Sequence, residues 1–186
     1  MLPVRRCGDD DVATIFAVIN DGAAAYRGVI PAERWHEPYM SEDELAAEIA
    51  AGVMFSGVEV AGALVGVMGL QPVKDVTLIR HAYVRTNHQR RGIGARMIEA
   101  LQAEATAPIL IGTWAAATWA IRFYEKHGFQ PVTAAEKNWL LASYWSVPSQ
   151  QVDASVVLAN AAWWASRSLR LPAHTPPDRW RRSRRL

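Results

Sequence analysis

The sequence predicts an α+β fold, with helices flanking a central sheet of about six or seven strands that is mixed but mostly antiparallel. The main evidence is three consecutive runs rich in valine and leucine, residues 53–60, 63–73 and 76–84, separated only by two-residue turns. Such lengths and turns are typical of an antiparallel meander. Apolar residues at helical spacing lie before and after these runs, which indicates helices packed on a sheet.

One short strand and two helices are predicted ahead of the meander. Residues 2–6 form the strand, and three aspartates at residues 9–11 offer capping oxygens and a favourable dipole to the first helix. Residues 26–40 contain a glycine and two prolines, so we expect an irregular segment there. Ser41 and Glu44 have capping-box spacing and open the second helix.

The elements after the meander follow from similar signals. Residues 92–106 have the pattern of an amphipathic helix, and the apolar residues 108–114 that of a buried strand. The inward face of that helix should comprise Ile93, Met97, Ile98 and Leu101. The later elements should be a helix ending at Gly128, a strand at 129–132, a helix opened by the capping box of Thr133 and Glu136, and a last strand at 151–158.

One domain is predicted, residues 1–158, followed by a basic tail rich in Trp, Arg and Pro, residues 159–186, that is expected to be mobile. Residues 167–186 hold seven arginines and one acidic residue, a balance of +6, which leaves −4 for residues 1–166 of a chain whose net charge is +2. The basic character therefore belongs to the tail, and the domain as a whole is not expected to bind nucleic acid.

The composition also predicts where the protein works. A single cysteine, Cys7, allows no internal disulfide and no cysteine-based zinc cluster, and it suits a reducing compartment. No run approaches the ~18 apolar residues of a membrane span. The first ten residues lack the apolar core of a secretory signal. We therefore expect a cytoplasmic protein without a membrane partner.

Residues 87–97, NHQRRGIGARM, join a predicted strand to a predicted helix through two spaced glycines. A helix start with glycines in the preceding turn presents main-chain N–H groups at the positive end of a helix dipole. Such an arrangement favours the binding of a pyrophosphate group. The P-loop pattern needs a Gly-Lys-Ser/Thr ending, which is absent. The dinucleotide pattern needs a third glycine where Met97 stands, and it also requires a parallel sheet.

The pattern Gln89-Arg90-Arg91-Gly92-Ile93-Gly94 resembles the Q/R-x-x-G-x-G/A signature of the GCN5-related N-acetyltransferase (GNAT) family. Residues 120–129, AIRFYEKHGF, resemble that family's second motif, and the order of elements from residue 2 to 158 is also similar. The resemblance implies the GNAT fold and acetyl-CoA as co-substrate. One position departs from the family, because Ala117 stands where an asparagine is frequent.

The resemblance also implies positions for acetyl-CoA. Main-chain N–H groups of the glycine turn would hold the pyrophosphate, and the end of the third meander strand would pair with the pantetheine arm. That arm would enter a gap between this strand and the strand at 108–114. The coenzyme-binding residues implied are Ala82, Tyr83, Val84, Gln89, Arg90, Arg91, Gly92, Ile93, Gly94 and Ala95.

Acetyl transfer to an amine needs a base that provides the neutral amine and an acid that protonates the departing thiolate. By resemblance, Tyr124 is the general acid, and the pKa of tyrosine lies above that of a thiol, as this role requires. His81 is a candidate base, because it lies on the strand beside the expected thioester and histidine has a suitable pKa. Alternatives are a water chain or the side chains of Glu33, His36, Glu37 and Glu59.

The acceptor is expected to bind at residues 26–40, where family members build their acceptor pocket. The candidate lining residues are Tyr26, Arg27, Trp35 and His36, and Tyr39 could join them. We expect a primary amine of a small molecule or a peptide. Paired subunits are frequent in the family, which leaves a homodimer open.

Two other readings remain. A non-catalytic acyl-CoA-binding or sensor module on the same fold would also bind the coenzyme, but amines would not trigger release of the thiol. Alternatively, the arginine-rich tail with Trp163 and Trp164 would bind nucleic acid or an anionic membrane. The intact Tyr124 motif favours the enzyme.

Overall fold

The protein, as a computed structural model, is described for residues 3–145 and 147–168. Within them, seven strands form one sheet in the order β1-β2-β3-β4-β5-β7-β6. Only β4 and β5 pair in parallel. The predicted α+β fold with a mixed, mostly antiparallel sheet is therefore confirmed. The strands are β1 (Val4–Arg6), β2 (Met54–Val60), β3 (Ala63–Val73), β4 (Val76–Val84), β5 (Ile109–Trp114), β6 (Gln130–Pro131) and β7 (Ser155–Ala159).

The helices begin and end close to the predicted positions. Ser41 accepts a hydrogen bond from the Glu44 N–H at the start of α2, and Thr133 accepts one from the Glu136 N–H at the start of α5, so both capping boxes form as predicted. The α-helices are α1 (Val12–Ala23), α2 (Glu42–Ala50), α3 (Ile93–Glu104), α4 (Thr118–Lys126), α5 (Ala134–Tyr144), α6 (Ser149–Asp153) and α7 (Ala161–Ser168).

Three clusters of buried side chains hold the helices on the sheet. Successive residues of a strand point to opposite faces, and Ile79 accordingly packs with α3 and α4 while Leu78 packs with α5 and α7. Further along the face occupied by α5 and α7, helices α1 and α2 cover β2 and β3. The predicted inward face of α3 is confirmed, since Ile93, Met97, Ile98 and Leu101 are all buried.

The C-terminal part differs from the prediction in two respects. Residues 151–153, expected to begin the last strand, belong to α6, because Pro148 caps a short helical segment there and β7 starts only at Ser155. The ordered body also continues past the expected boundary at residue 158, since α7 packs Trp163 against the sheet at 6% exposure. The remainder of the predicted tail, 169–186, lies outside the described residues.

Candidate functional site

The two central strands separate halfway along their length. Hydrogen-bonded pairing of β4 with β5 covers Thr77 to Ile79 on one strand and Ile109 to Ile111 on the other. Beyond these residues β4 continues to Val84, and no described strand pairs with it on that side. The strands therefore frame a gap in the middle of the sheet, between the two segments for which the family resemblance implies one.

A β-bulge in β4 lies at the start of this gap. The register against β3 shifts where Gly69 faces Arg80 and Val67 faces Tyr83, so β4 contains one extra residue. His81 occupies it with a φ of +50°, which is uncommon for a residue other than glycine. A bulge bends its strand and re-aims side chains. Here it places Arg80 and His81 on the same side, where both contact Glu48 of α2.

A cavity of about 180 Å³ occupies the gap. Segments that are distant in sequence meet at its walls. The lining residues are Tyr26, Tyr39, Ile79, Arg80, His81, Ala82, Tyr83, Gly112, Thr113, Trp114, Tyr124, Leu141, Trp145, Val147, Gln151 and Ser155.

Tyr124, the predicted acid, lines this cavity from α4. Its ring packs against Phe123 and Phe129, which fixes its direction. Burial, with a smaller contribution from nearby Tyr26, raises the pKa of the hydroxyl well above its ordinary value. Tyr124 thus remains protonated at neutral pH and can donate a proton to a group in the cavity.

Three more tyrosines gather next to Tyr124. The rings of Tyr26 and Tyr39 are stacked with centroids 6.0 Å apart, and Tyr83 meets Tyr26 edge-on at 6.2 Å. Burial, together with nearby Tyr39, raises the pKa of Tyr26 to about 12 despite a hydrogen bond with Thr113. Burial also raises the pKa of Tyr83. Tyr26 and Tyr83 therefore supply uncharged hydroxyl groups to the cavity.

His81, the predicted base, lines the cavity and faces Glu48 behind it. Its Nε2 lies 3.1 Å from Glu48 Oε2, at angles that do not form a good hydrogen bond. Arg80 donates to the other carboxylate oxygen, Oε1, at 2.7 Å. Burial alone would raise the pKa of Glu48, but His81 and Arg80 outweigh it and hold that pKa below its ordinary value. Glu48 is therefore a carboxylate next to the imidazole.

The glycine turn ends in a helix start with free donors. Gly92 is the N-cap of α3 in a left-handed conformation, with a φ of +78°, and no side chain caps the helix. Among the described residues, no hydrogen bond uses the main-chain N–H groups of residues 90–95. Arg90 and Arg91 are exposed beside them. The arrangement is suited to binding an anion.

Gln89 and the end of β4 complete this edge. The Gln89 side chain donates to the Val84 carbonyl at 3.1 Å, so it fixes the turn to the strand. Ala82 and Tyr83 line the cavity, and Val84 follows them on the part of β4 that has no partner towards β5. Main-chain groups at such an edge can pair with an extended ligand as with an added strand.

The four residues predicted for the acceptor differ in position. Tyr26 lines the cavity, whereas Trp35 and His36 lie behind it and pack on Tyr39. Arg27 is exposed, forms an ion pair with Glu37 and lies 5.4 Å from the Trp35 ring. The structure therefore brings only Tyr26 of the four to the cavity.

The opposite wall was not predicted from the sequence. It comes from Leu141 of α5 and from Trp145, Val147 and Gln151 in the following segment. A Cβ on Gly112 would lie 3.4 Å from the Trp145 ring, which is an ordinary van der Waals distance, so the indole packs over this position of β5.

The described residues contain neither a membrane-spanning helix nor a cluster of metal-binding side chains. None of the helices within residues 3–145 and 147–168 is long and apolar enough to cross a membrane. The same part of the chain contains no group of three or more His, Cys, Asp or Glu side chains that could hold a metal ion.

Comparison with known proteins identifies the domain type. Residues 52–131 match the family model described as an acetyltransferase (GNAT) domain. No curated protein matches the sequence.

Solved structures share the architecture at low sequence identity. A PaiA N-acetyltransferase from Thermoplasma acidophilum in complex with coenzyme A is 17% identical, with a TM-score of 0.63 over 86% of this chain and 98% of that chain. The ribosomal-protein-S18-alanine N-acetyltransferase from Escherichia coli is 18% identical, with a TM-score of 0.61 over 86% and 93%.

A longer enzyme contains a similar domain. N-acetylglutamate synthase from Neisseria gonorrhoeae, complexed with coenzyme A and N-acetyl-glutamate, is 19% identical, with a TM-score of 0.56 over 86% of this chain and 35% of that chain. The family match covers the meander, the glycine turn, α3, β5 and α4, which together build the gap and the free helix start. Residues 52–131 therefore match the GNAT acetyltransferase domain, and solved acetyltransferases of that type share the fold.

Proposed function

We propose that the protein is an N-acetyltransferase that transfers the acetyl group of acetyl-CoA to a primary amine of a small molecule or peptide by direct attack. The observation that carries the proposal is the gap between β4 and β5, which has Tyr124 at its wall and lies beside the free N–H groups at the start of α3. A gap next to an anion site suits a long ligand with a phosphate end.

The residues present fit coenzyme A. Its pyrophosphate would accept hydrogen bonds from main-chain N–H groups of residues 90–95, with Arg90 and Arg91 adding positive charge from their exposed side chains. Its pantetheine arm would pair with the main chain of Ala82, Tyr83 and Val84. The thioester would then reach the cavity. The solved neighbours from Thermoplasma acidophilum and Neisseria gonorrhoeae, both complexed with coenzyme A, support this fit on the shared fold.

Side chains at the cavity supply both proton transfers that the reaction needs. The neutral amine nitrogen attacks the thioester carbonyl carbon, a C–N bond forms, and the C–S bond breaks. Tyr124 gives its proton to the departing sulfur and is reprotonated from solvent. His81, with the Glu48 carboxylate beside it, takes a proton from the amine. The products are the N-acetylated amine and free coenzyme A.

His81 is better placed for the role of base than the other candidates. Glu59 is engaged by Arg5 at 2.5 Å, and Glu37 by Arg27. Neither of these glutamates lines the cavity, nor do Glu33 and His36. A water molecule between the amine and His81 would serve the same purpose. The single cysteine of the chain favours a reducing compartment, so we place the reaction in the cytoplasm.

The test measures coenzyme binding and thiol release separately. Acetyl-CoA binding is measured by titration calorimetry, and release of free coenzyme A is followed with a thiol reagent across a panel of amines. We expect binding in every case and release that depends on an amine. Binding without release for any amine would support the sensor module instead, and absence of binding would refute both readings.

A further inference from the structure

The cavity that receives the acceptor offers no charge to a second ionic group. Among its described lining residues there is no aspartate or glutamate, and the only charged or readily charged side chains are Arg80 and His81. Polyamines and aminoglycosides carry several ammonium groups, and each needs an anionic partner when it leaves water. The lining supplies none.

The one permanent cation of the lining is already engaged. Arg80 donates to Glu48 at 2.7 Å and to the Gln71 side-chain oxygen at 2.8 Å, and its side chain is only 22% exposed. A substrate carboxylate would have to displace Glu48, which would leave that carboxylate without its partner in a partly buried position. Binding of an amino acid acceptor at Arg80 is therefore unfavourable.

The remaining lining consists of aromatic and aliphatic side chains with neutral polar groups. The stacked rings of Tyr26 and Tyr39 are joined by Trp114, whose Nε1 lies 3.5 Å from the Tyr39 hydroxyl, and Trp145 stands on the other side. Aromatic faces attract a single ammonium group and pack well on apolar carbon. Burial raises the pKa of Tyr26 to about 12, so its hydroxyl stays uncharged at neutral pH.

The size of the cavity sets a second limit. Its volume of about 180 Å³ must hold the thioester end of acetyl-CoA as well as the amine end of the acceptor. Most of a peptide would therefore lie outside the cavity.

We propose that the acceptor is a small monoamine, whose reacting nitrogen is its only ionisable group and whose aromatic or aliphatic body lies against Tyr26, Tyr39 and Trp145. This inference rests on the proposed acetyl transfer and narrows its substrate. It disfavours polyamines, aminoglycosides, amino acids and peptides.

The first experiment compares kcat/KM for four acceptors with the full chain: 2-phenylethylamine, a diamine of similar length, glutamate and a tetrapeptide with a free N-terminus. We expect the value for the monoamine to exceed each of the other three at least tenfold. A ratio below tenfold for any of them overturns the inference. Absence of release with every amine, although coenzyme A binds, overturns the proposed function itself.

A gain-of-function variant tests where the acceptor lies. Gln151→Glu adds one carboxylate to the cavity wall with almost no change of shape, so it should raise the ratio of diamine to monoamine kcat/KM at least tenfold. Gln130→Glu adds the same charge on exposed β6, away from the cavity, and should leave the ratio unchanged. An unchanged ratio in folded Gln151→Glu, verified by circular dichroism, or an equal rise in the control, would contradict the placement of the acceptor.

Discussion

Replacing Tyr124 by phenylalanine removes one hydroxyl group from the cavity wall and leaves the ring in place. No described residue forms a hydrogen bond with this hydroxyl, and the ring contacts with Phe123 and Phe129 do not involve it. The free energy of unfolding should therefore change by less than the ~1 kcal/mol that an average intramolecular hydrogen bond contributes. The variant should fold and melt like the parent protein.

Turnover should fall steeply in the same variant. A positioned general acid contributes about 10²- to 10⁴-fold to a rate, which corresponds to about 3–5 kcal/mol of barrier. Affinity for coenzyme A should remain within about threefold, a change of about 0.7 kcal/mol, because the proposed pyrophosphate site lies on α3. Since burial raises the pKa of Tyr124, loss of activity through its ionisation should begin only above pH 10.

The assay is amine-dependent thiol release, with coenzyme binding by calorimetry and melting temperature measured on the same preparations. Tyr144→Phe is the matched control, because the Tyr144 hydroxyl donates to Asp75 at 2.6 Å outside the cavity. The control should keep its kcat. If Tyr124→Phe retained kcat within twofold while folded, Tyr124 would not be the acid.

Three further predictions concern the glycine turn, the first strand and the single cysteine. Gly92→Ala should weaken coenzyme A binding and lower the free energy of unfolding by about 1 kcal/mol. The cause is the φ of +78° at Gly92 and not a steric clash, since an added Cβ would meet no atom within 4 Å. Calorimetry measures the binding and urea unfolding the stability, and Gly8→Ala, with a φ of −116° and equal space, should change neither quantity. Asp11→Asn should destabilise the protein at pH 7 but not near pH 2, because hydrogen bonds from Arg5 and the Gly8 N–H lower the pKa of Asp11 from 3.8 to about 2. The contribution of the carboxylate to the free energy of unfolding is therefore present above pH 4 and is lost as pH falls through 2. An equal loss of stability in urea unfolding at both pH values would contradict this. Burial raises the pKa of Cys7 from 9.0 to about 11. Alkylation by iodoacetamide at pH 8, followed by mass spectrometry, should therefore be about a hundredfold slower in the native than in the denatured protein. Equal rates would show that burial does not protect the thiol.

Local signals account for the parts of the molecule that were predicted correctly. The capping boxes at Ser41 and Thr133 and the inward face of α3 depend on residues three or four positions apart, so the sequence records them directly. The short turns of the meander are equally local. The glycine turn before α3 belongs to the same class, because Gly92 acts through its own backbone angles.

Residues 151–153 form α6 instead of the predicted strand for a local reason, the N-cap at Pro148. Other differences depend on neighbours that are distant in sequence. Trp163, predicted to lie in the tail, packs into one buried cluster with Leu78 and Leu110. The bulge at His81 could not be predicted, because it depends on the register between β3 and β4.

The sequence by itself therefore determined the fold class, the helix start with free N–H groups and the candidate role of Tyr124, since these follow from local patterns and a motif. Only the tertiary structure decided what surrounds the acceptor. Tyr26 and Tyr39 reach the cavity from the segment before α2, while Trp145 and Gln151 reach it from beyond α5. Pairing of β4 with β5 brings these segments together, and the absence of pairing beyond Ile79 leaves the space between them.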